Sequence, residues 1–124
     1  MLQPHDQVPH FVVTDVGGRT VTYAAIWQHA HLVLVSLGNA EAPDERLHLY
    51  VDKIRAWAAD DLACVVTRDA VPGLPSPGAI VADRWGEIVH VTRVEPRSLP
   101  SAENLGEWVA YLRIQCPECE GEAR

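Results

Sequence analysis

The chain has 124 residues, 48% of them hydrophobic, and its 10 basic against 17 acidic side chains give a formal net charge of −7. That length suits one domain burying roughly two-thirds of its unfolded surface around a single core. The acidic balance argues against nucleic acid, since no Lys/Arg cluster is present to neutralise phosphates, and with Lys53 the single lysine an anionic membrane surface is an equally poor partner.

From the N-terminus, HFVVTDVGGRTVTY predicts a β-hairpin. Phe11, Val12 and Val13 lead in, Gly17-Gly18 turns, and Thr20 to Thr22 lead out. AAIWQH supplies one or two helical turns, and HLVLVSL (31–37) is a continuous apolar run, the pattern of a strand covered on both faces. The segment from Pro43 to Asp60 predicts a helix, with Leu47, Tyr50, Val51, Ile54, Trp57 and Ala58 forming one apolar stripe. Pro43 suits its first turn, where a missing N–H costs nothing, and Asp44 and Glu45 sit where the helix dipole favours negative charge.

LACVVT (62–67) reads as a second buried strand and PGLPSP (72–77) as a rigid loop. GAIVAD and WGEIVHVTR then read as two strands joined at Asp83-Arg84-Trp85-Gly86. Ser101 can cap a last helix running to about Gln115, with Leu105, Trp108, Val109 and Leu112 on one face. Gly106 weakens that helix by about 1 kcal/mol relative to alanine, so packing must compensate. The order is a hairpin, a β-α-β unit with parallel strands and right-handed crossover, an antiparallel pair and a closing helix. This predicts the α/β class, with a central mixed sheet, an N-terminal hairpin and helices on both faces.

No stretch approaches the roughly 20 apolar residues of a membrane span. The N-terminal Met1-Leu2-Gln3-Pro4-His5-Asp6 lacks the basic and apolar regions of a secretory signal, so a cytoplasmic address is expected. Three cysteines are too few for a disulfide framework.

The pattern resembles the thioredoxin-like superfamily, in particular its peroxiredoxin-like branch of alkyl hydroperoxide reductases and thiol-specific antioxidant proteins. QVPHFVVTDVGGRTVTY resembles the family's opening, with Pro9 and Phe11 before the strand and an Asp-x-x-Gly turn after it. HLVLVSLG resembles the central strand. In SPGAIVADRWGEIVHV, Pro77 precedes Asp83 by six residues and Gly86 closes the turn, which is the spacing around the family's cis-proline. The resemblance implies a thioredoxin-like fold over residues 1–115, with an acidic tail at 116–124. It also implies a cis bond at Pro77, whose loop borders the active-site turn and either offers backbone groups to extended polypeptides or only packs the domain.

The family's nucleophile does not carry over. Where thioredoxins keep Cys-x-x-Cys and peroxiredoxins Thr-x-x-Cys, this chain reads Ala40-Glu41-Ala42-Pro43, with Ala40 and Pro43 at the cysteine positions. A cysteine there is useful because backbone N–H groups and the helix dipole stabilise its thiolate. Alanine has no proton to give up, and Glu41 is a poor nucleophile.

Cys64, in an apolar strand, reads as a structural thiol. Cys116-Pro117-Glu118-Cys119 leaves three readings open. As a redox pair it is disfavoured by Glu118, Glu120 and Glu122 and by a helix C-terminus, all of which raise thiol pKa. As half of a structural zinc site it needs two further ligands, two histidines or the same motif from a second copy in a homodimer. As a solvated tail it does nothing.

His29, His31, His48 and His90 form no metal-type pair in sequence. A Ser36-His90-Asp69 triad fails because Ser36 lies within a strand and not on an elbow turn. Trp57 and Trp108 fit helix cores, while Trp85, in a turn, reads either as a cap over its own hairpin or as a binding anchor. Taken together the residues predict a non-catalytic binding or assembly module for a protein or peptide partner. The alternative is an antioxidant or thiol–disulfide oxidoreductase using Cys116 and Cys119.

Overall fold

A computed structural model describes residues 1–123, with side chains described through Ile114. Its elements are β1 (Val12–Thr14), β2 (Thr20–Thr22), a 3-10 turn (Tyr23–Ala25), β3 (His31–Ser36), α1 (Asp44–Arg55), β4 (Leu62–Thr67), β5 (Gly78–Ala82), β6 (Ile88–Arg93) and α2 (Ala102–Ala123). β1 and β2 form the predicted hairpin, and the other four strands form one sheet in the order β4-β3-β5-β6. β3 pairs parallel with β4 and antiparallel with β5, which pairs antiparallel with β6. The mixed α/β sheet is therefore as the sequence predicts.

Every residue of β3 is buried, because it has a strand on each side and a layer on each face. Its alternation divides the core. Val33 and Val35 point into one cluster with Val51 and Ile54 of α1 and Leu105, Val109 and Leu112 of α2. Leu32 and Leu34 point into another with Phe11, Val13, Tyr23, Ile80 and Ile88. Both helices thus cover the same face, which corrects the expectation of helices on both. The second face is covered by the hairpin and the 3-10 turn, whose large rings Phe11 and Tyr23 stack at 5.4 Å and fill the layer a helix would have filled.

The two Asp-x-x-Gly turns are built alike. Asp15 Oδ1 accepts from the N–H groups of Gly17 and Arg19, and Asp83 Oδ1 from those of Trp85 and Glu87. Gly18 and Gly86 both close their turns at φ +85°, a backbone state that strains any residue with a Cβ. The Asp15 turn is tied to β4, since Val16 N–H donates to Val66 O at 2.9 Å.

α1 ends at Arg55, short of the predicted Asp60. The chain must reverse to enter β4, and Ala59 and Leu62 exchange two backbone bonds of 3.0 and 3.1 Å in doing so. α2 starts as predicted, with Ser101 Oγ accepting from Asn104 N–H, and its backbone continues past Gln115 to Ala123. Gly106 faces Trp57, whose ring a Cβ would approach to 3.2 Å, so the glycine lets that indole lie against α2.

Candidate functional site

Parallel neighbours end at the same edge of a sheet, so β3 and β4 deliver their following loops to one pole. There Leu37 N–H donates to Thr67 O at 2.7 Å, and the chain turns through Gly38 at φ +50°. Ser76 lies so close that a Cβ on Gly38 would collide with its Oγ. Ser36 Oγ is 2.9 Å from Ser76 Oγ and donates to Asp69 O at 2.9 Å, joining the turn to the proline loop and to the loop after β4. The Ser76–Pro77 bond is cis, the state that the resemblance implies.

The turn is held shut from two sides. Arg68 Nη1 donates to Gly38 O at 3.0 Å and Ala40 O at 3.3 Å. Glu41 N–H donates to Arg97 O, while Arg97 N–H donates to Asn39 Oδ1. Ala40 is only 3% exposed and packs into the cluster under α1. Pro43 is exposed and begins α1 with no side-chain cap. Ala40 therefore turns its methyl group to the core, and Pro43 brings a ring with no ionisable group to the surface.

The triad geometry also fails in three dimensions. Asp69 meets Ser36 through its backbone carbonyl, and its carboxylate accepts from Thr14 N–H at 2.7 Å. His90 Nε2 is instead 2.9 Å from Thr92 Oγ1, and its ring stacks on Trp108 at 4.8 Å. Desolvation against that stack lowers the His90 pKa. Cys64 is half-buried on β4, and burial pushes its thiol up to about 12, which removes it as a nucleophile at neutral pH.

The side chains of Cys116 and Cys119 lie outside the described residues. Arg113, three positions earlier, donates to Trp57 O at 3.1 Å and pairs with Asp61 at 3.3 Å. Asp61 O in turn accepts the N–H of His31, at the end of β3 remote from the turn. Arg113 thus ties α2 to the pole remote from the turn. Among the described residues no group of three or more His, Cys, Asp or Glu side chains is arranged to hold a metal, and no helix is long and apolar enough to cross a membrane.

Beside the turn lies a cavity of about 580 Å3 between the hairpin, α1 and the loop after β4, with Thr14, Leu47, Val51, Arg55, Arg68 and Asp69 in its walls. Arg68 belongs to both the cavity and the turn. Sequence reasoning passed it over, and its signal was positional, as the first residue after a strand parallel to β3.

No known family's sequence profile matches the chain, and no curated protein sequence matches it. Among solved structures it is similar to the solution structure of a candidate protein disulfide isomerase from Bacteroides thetaiotaomicron, with a TM-score of 0.59 and 16% identity over 91% of this chain and 89% of that one. At that identity the likeness establishes the fold, which is thioredoxin-like.

Proposed function

We propose that this is a thioredoxin-like domain of the peroxiredoxin-like type that acts as a non-catalytic binding or assembly module. The observation that carries the reading is that neither position where the resemblance places a reactive cysteine can ionise. Ala40, at the first thioredoxin cysteine, is buried in the core, and Pro43, at the peroxiredoxin cysteine, is an exposed ring at the start of α1. Fold alone confers no chemistry, and the turn offers none: its carbonyls are tied to Arg68 and its β-carbon faces inward. The N-terminal hairpin and the Pro77-to-Asp83 spacing support the peroxiredoxin-like assignment.

What the pole does offer is backbone and shape. Ser76 and Glu41 are exposed on either side of the junction between the proline loop and the turn, and the neighbouring cavity takes side chains of mixed character. An extended segment of a protein partner fits that chemistry, held by main-chain bonds and by pockets for alternate side chains.

A titration of ultraviolet thiolate absorbance on the full chain, with metal chelated beforehand, tests the reading. No thiolate should form until the pH rises past the ordinary thiol range, because Cys64 is buried and three glutamates surround the C-terminal pair. A thiolate with a midpoint below neutrality would overturn it, since such a group is what a thiol-dependent enzyme requires.

A further inference from the structure

The pole opposite the turn carries a second cavity, of about 380 Å3, whose walls include Trp85, Trp108 and Tyr111 together with Asp83, Arg84 and Glu87. Trp85 is 62% exposed, and shares the cavity wall with Glu87 and Val89 of its own hairpin. Its backbone is nevertheless fixed in the turn: the main-chain N–H donates to Asp83 Oδ1 at 2.9 Å, and the main-chain carbonyl accepts the indole N–H of Trp27 at 3.2 Å. The rings of Trp108 and Tyr111 meet edge to face, 5.4 Å apart and 73° between planes, so they stand as two walls of a corner. His90, stacked on Trp108 within 12° of parallel, fixes the plane of that indole.

We propose that this cavity is a cation–π site for a small soluble ligand bearing a trimethylammonium group. The faces of indole and phenol rings carry negative potential, and tryptophan is the strongest of them for binding cations. Asp83 and Glu87 stand in the lining with Arg84, His5 and His31. Glu87 Oε2 lies 3.0 Å from His5 Nδ1 and Asp83 Oδ1 accepts two backbone N–H groups, so the ring faces are the main attraction for a cation, and the whole chain is anionic at −7. An anionic ligand would meet those carboxylates and ring faces. The volume lies at the small end for ligand cavities, enough for a compact cation and too little for a folded polymer. This assignment is independent of the turn and of any thiol.

The four tryptophans supply separate indole N–H signals in two-dimensional proton–nitrogen spectra of the full chain. Titration with choline should shift the Trp85 and Trp108 signals saturably in the millimolar range and leave Trp57 unmoved. Neohexyl alcohol, the uncharged carbon isostere of choline, should bind roughly tenfold more weakly or not at all. Trp85→Ala removes an exposed ring, so the domain stays folded, and choline affinity should fall about fivefold or more. Equal response to choline and its isostere would overturn the proposal. So would affinity unchanged in Trp85→Ala, or binding to phosphatidylcholine vesicles without binding to free choline.

Discussion

Gly38 shows how tightly the turn is specified at the scale of one residue. Its φ of +50° and the approach of Ser76 Oγ both require the missing Cβ. Gly38→Ala should therefore destabilise the domain by roughly 2 kcal/mol in urea unfolding, and a neutral result would mean that the turn can reopen. Arg68→Ala leaves the Gly38 and Ala40 carbonyls without their donor. The expected cost is about 1 kcal/mol, since the side chain is largely exposed. Cys64, Tyr23 and Tyr50, all with ionisation pushed up by burial, contribute to the alkaline limb of stability. Burial raises Cys64 and Tyr23 to about 12 from ordinary values of 9.0 and 10.0. The unfolded chain thus ionises first, so the contribution of these groups is constant well below pH 9 and falls as pH climbs from there towards 12. Denaturation midpoints measured across that range check the sign, and a rise in stability would contradict it.

At the scale of elements, β3 was the most legible part of the chain, because an unbroken run such as HLVLVS suits few positions other than the centre of a sheet. Leu34→Ala, at a site with no exposed surface, should cost about 2–5 kcal/mol. The Ser101 cap was equally readable, and Ser101→Ala should lower stability by about 1 kcal/mol. Both Asp-x-x-Gly turns could be read because their chemistry is local. The end of α1 could not, since Trp57 and Ala58 continue the apolar stripe and only the need to enter β4 stops the helix. Nor could the side on which α2 packs. A helix stripe states that a face is buried, not which face of the sheet buries it, and the claim of Phe11 and Tyr23 on the second face depends on contacts distant in sequence.

Across the whole molecule, two poles divide the candidate functions. One gathers the turn, the Ser76–Pro77 loop and Arg68, and the other gathers Trp85, Trp108 and Tyr111. The missing nucleophile was visible in the sequence as Ala40 and Pro43, whereas the burial of Ala40 and the clamp of Arg68 became visible only once β3 and β4 were seen to end side by side. The direction of α2 was likewise hidden, because it depends on Arg113 reaching Asp61 across 52 positions of sequence. That anchor holds the described part of α2 against the pole remote from the turn. The central claim is that this scaffold binds without thiol chemistry, and steady-state reduction of peroxide and of a small disulfide by the full chain tests it most directly, with wild type and Cys116→Ser side by side. Both proteins should run at the uncatalysed rate and be indistinguishable, and wild-type turnover abolished by the substitution would contradict the claim.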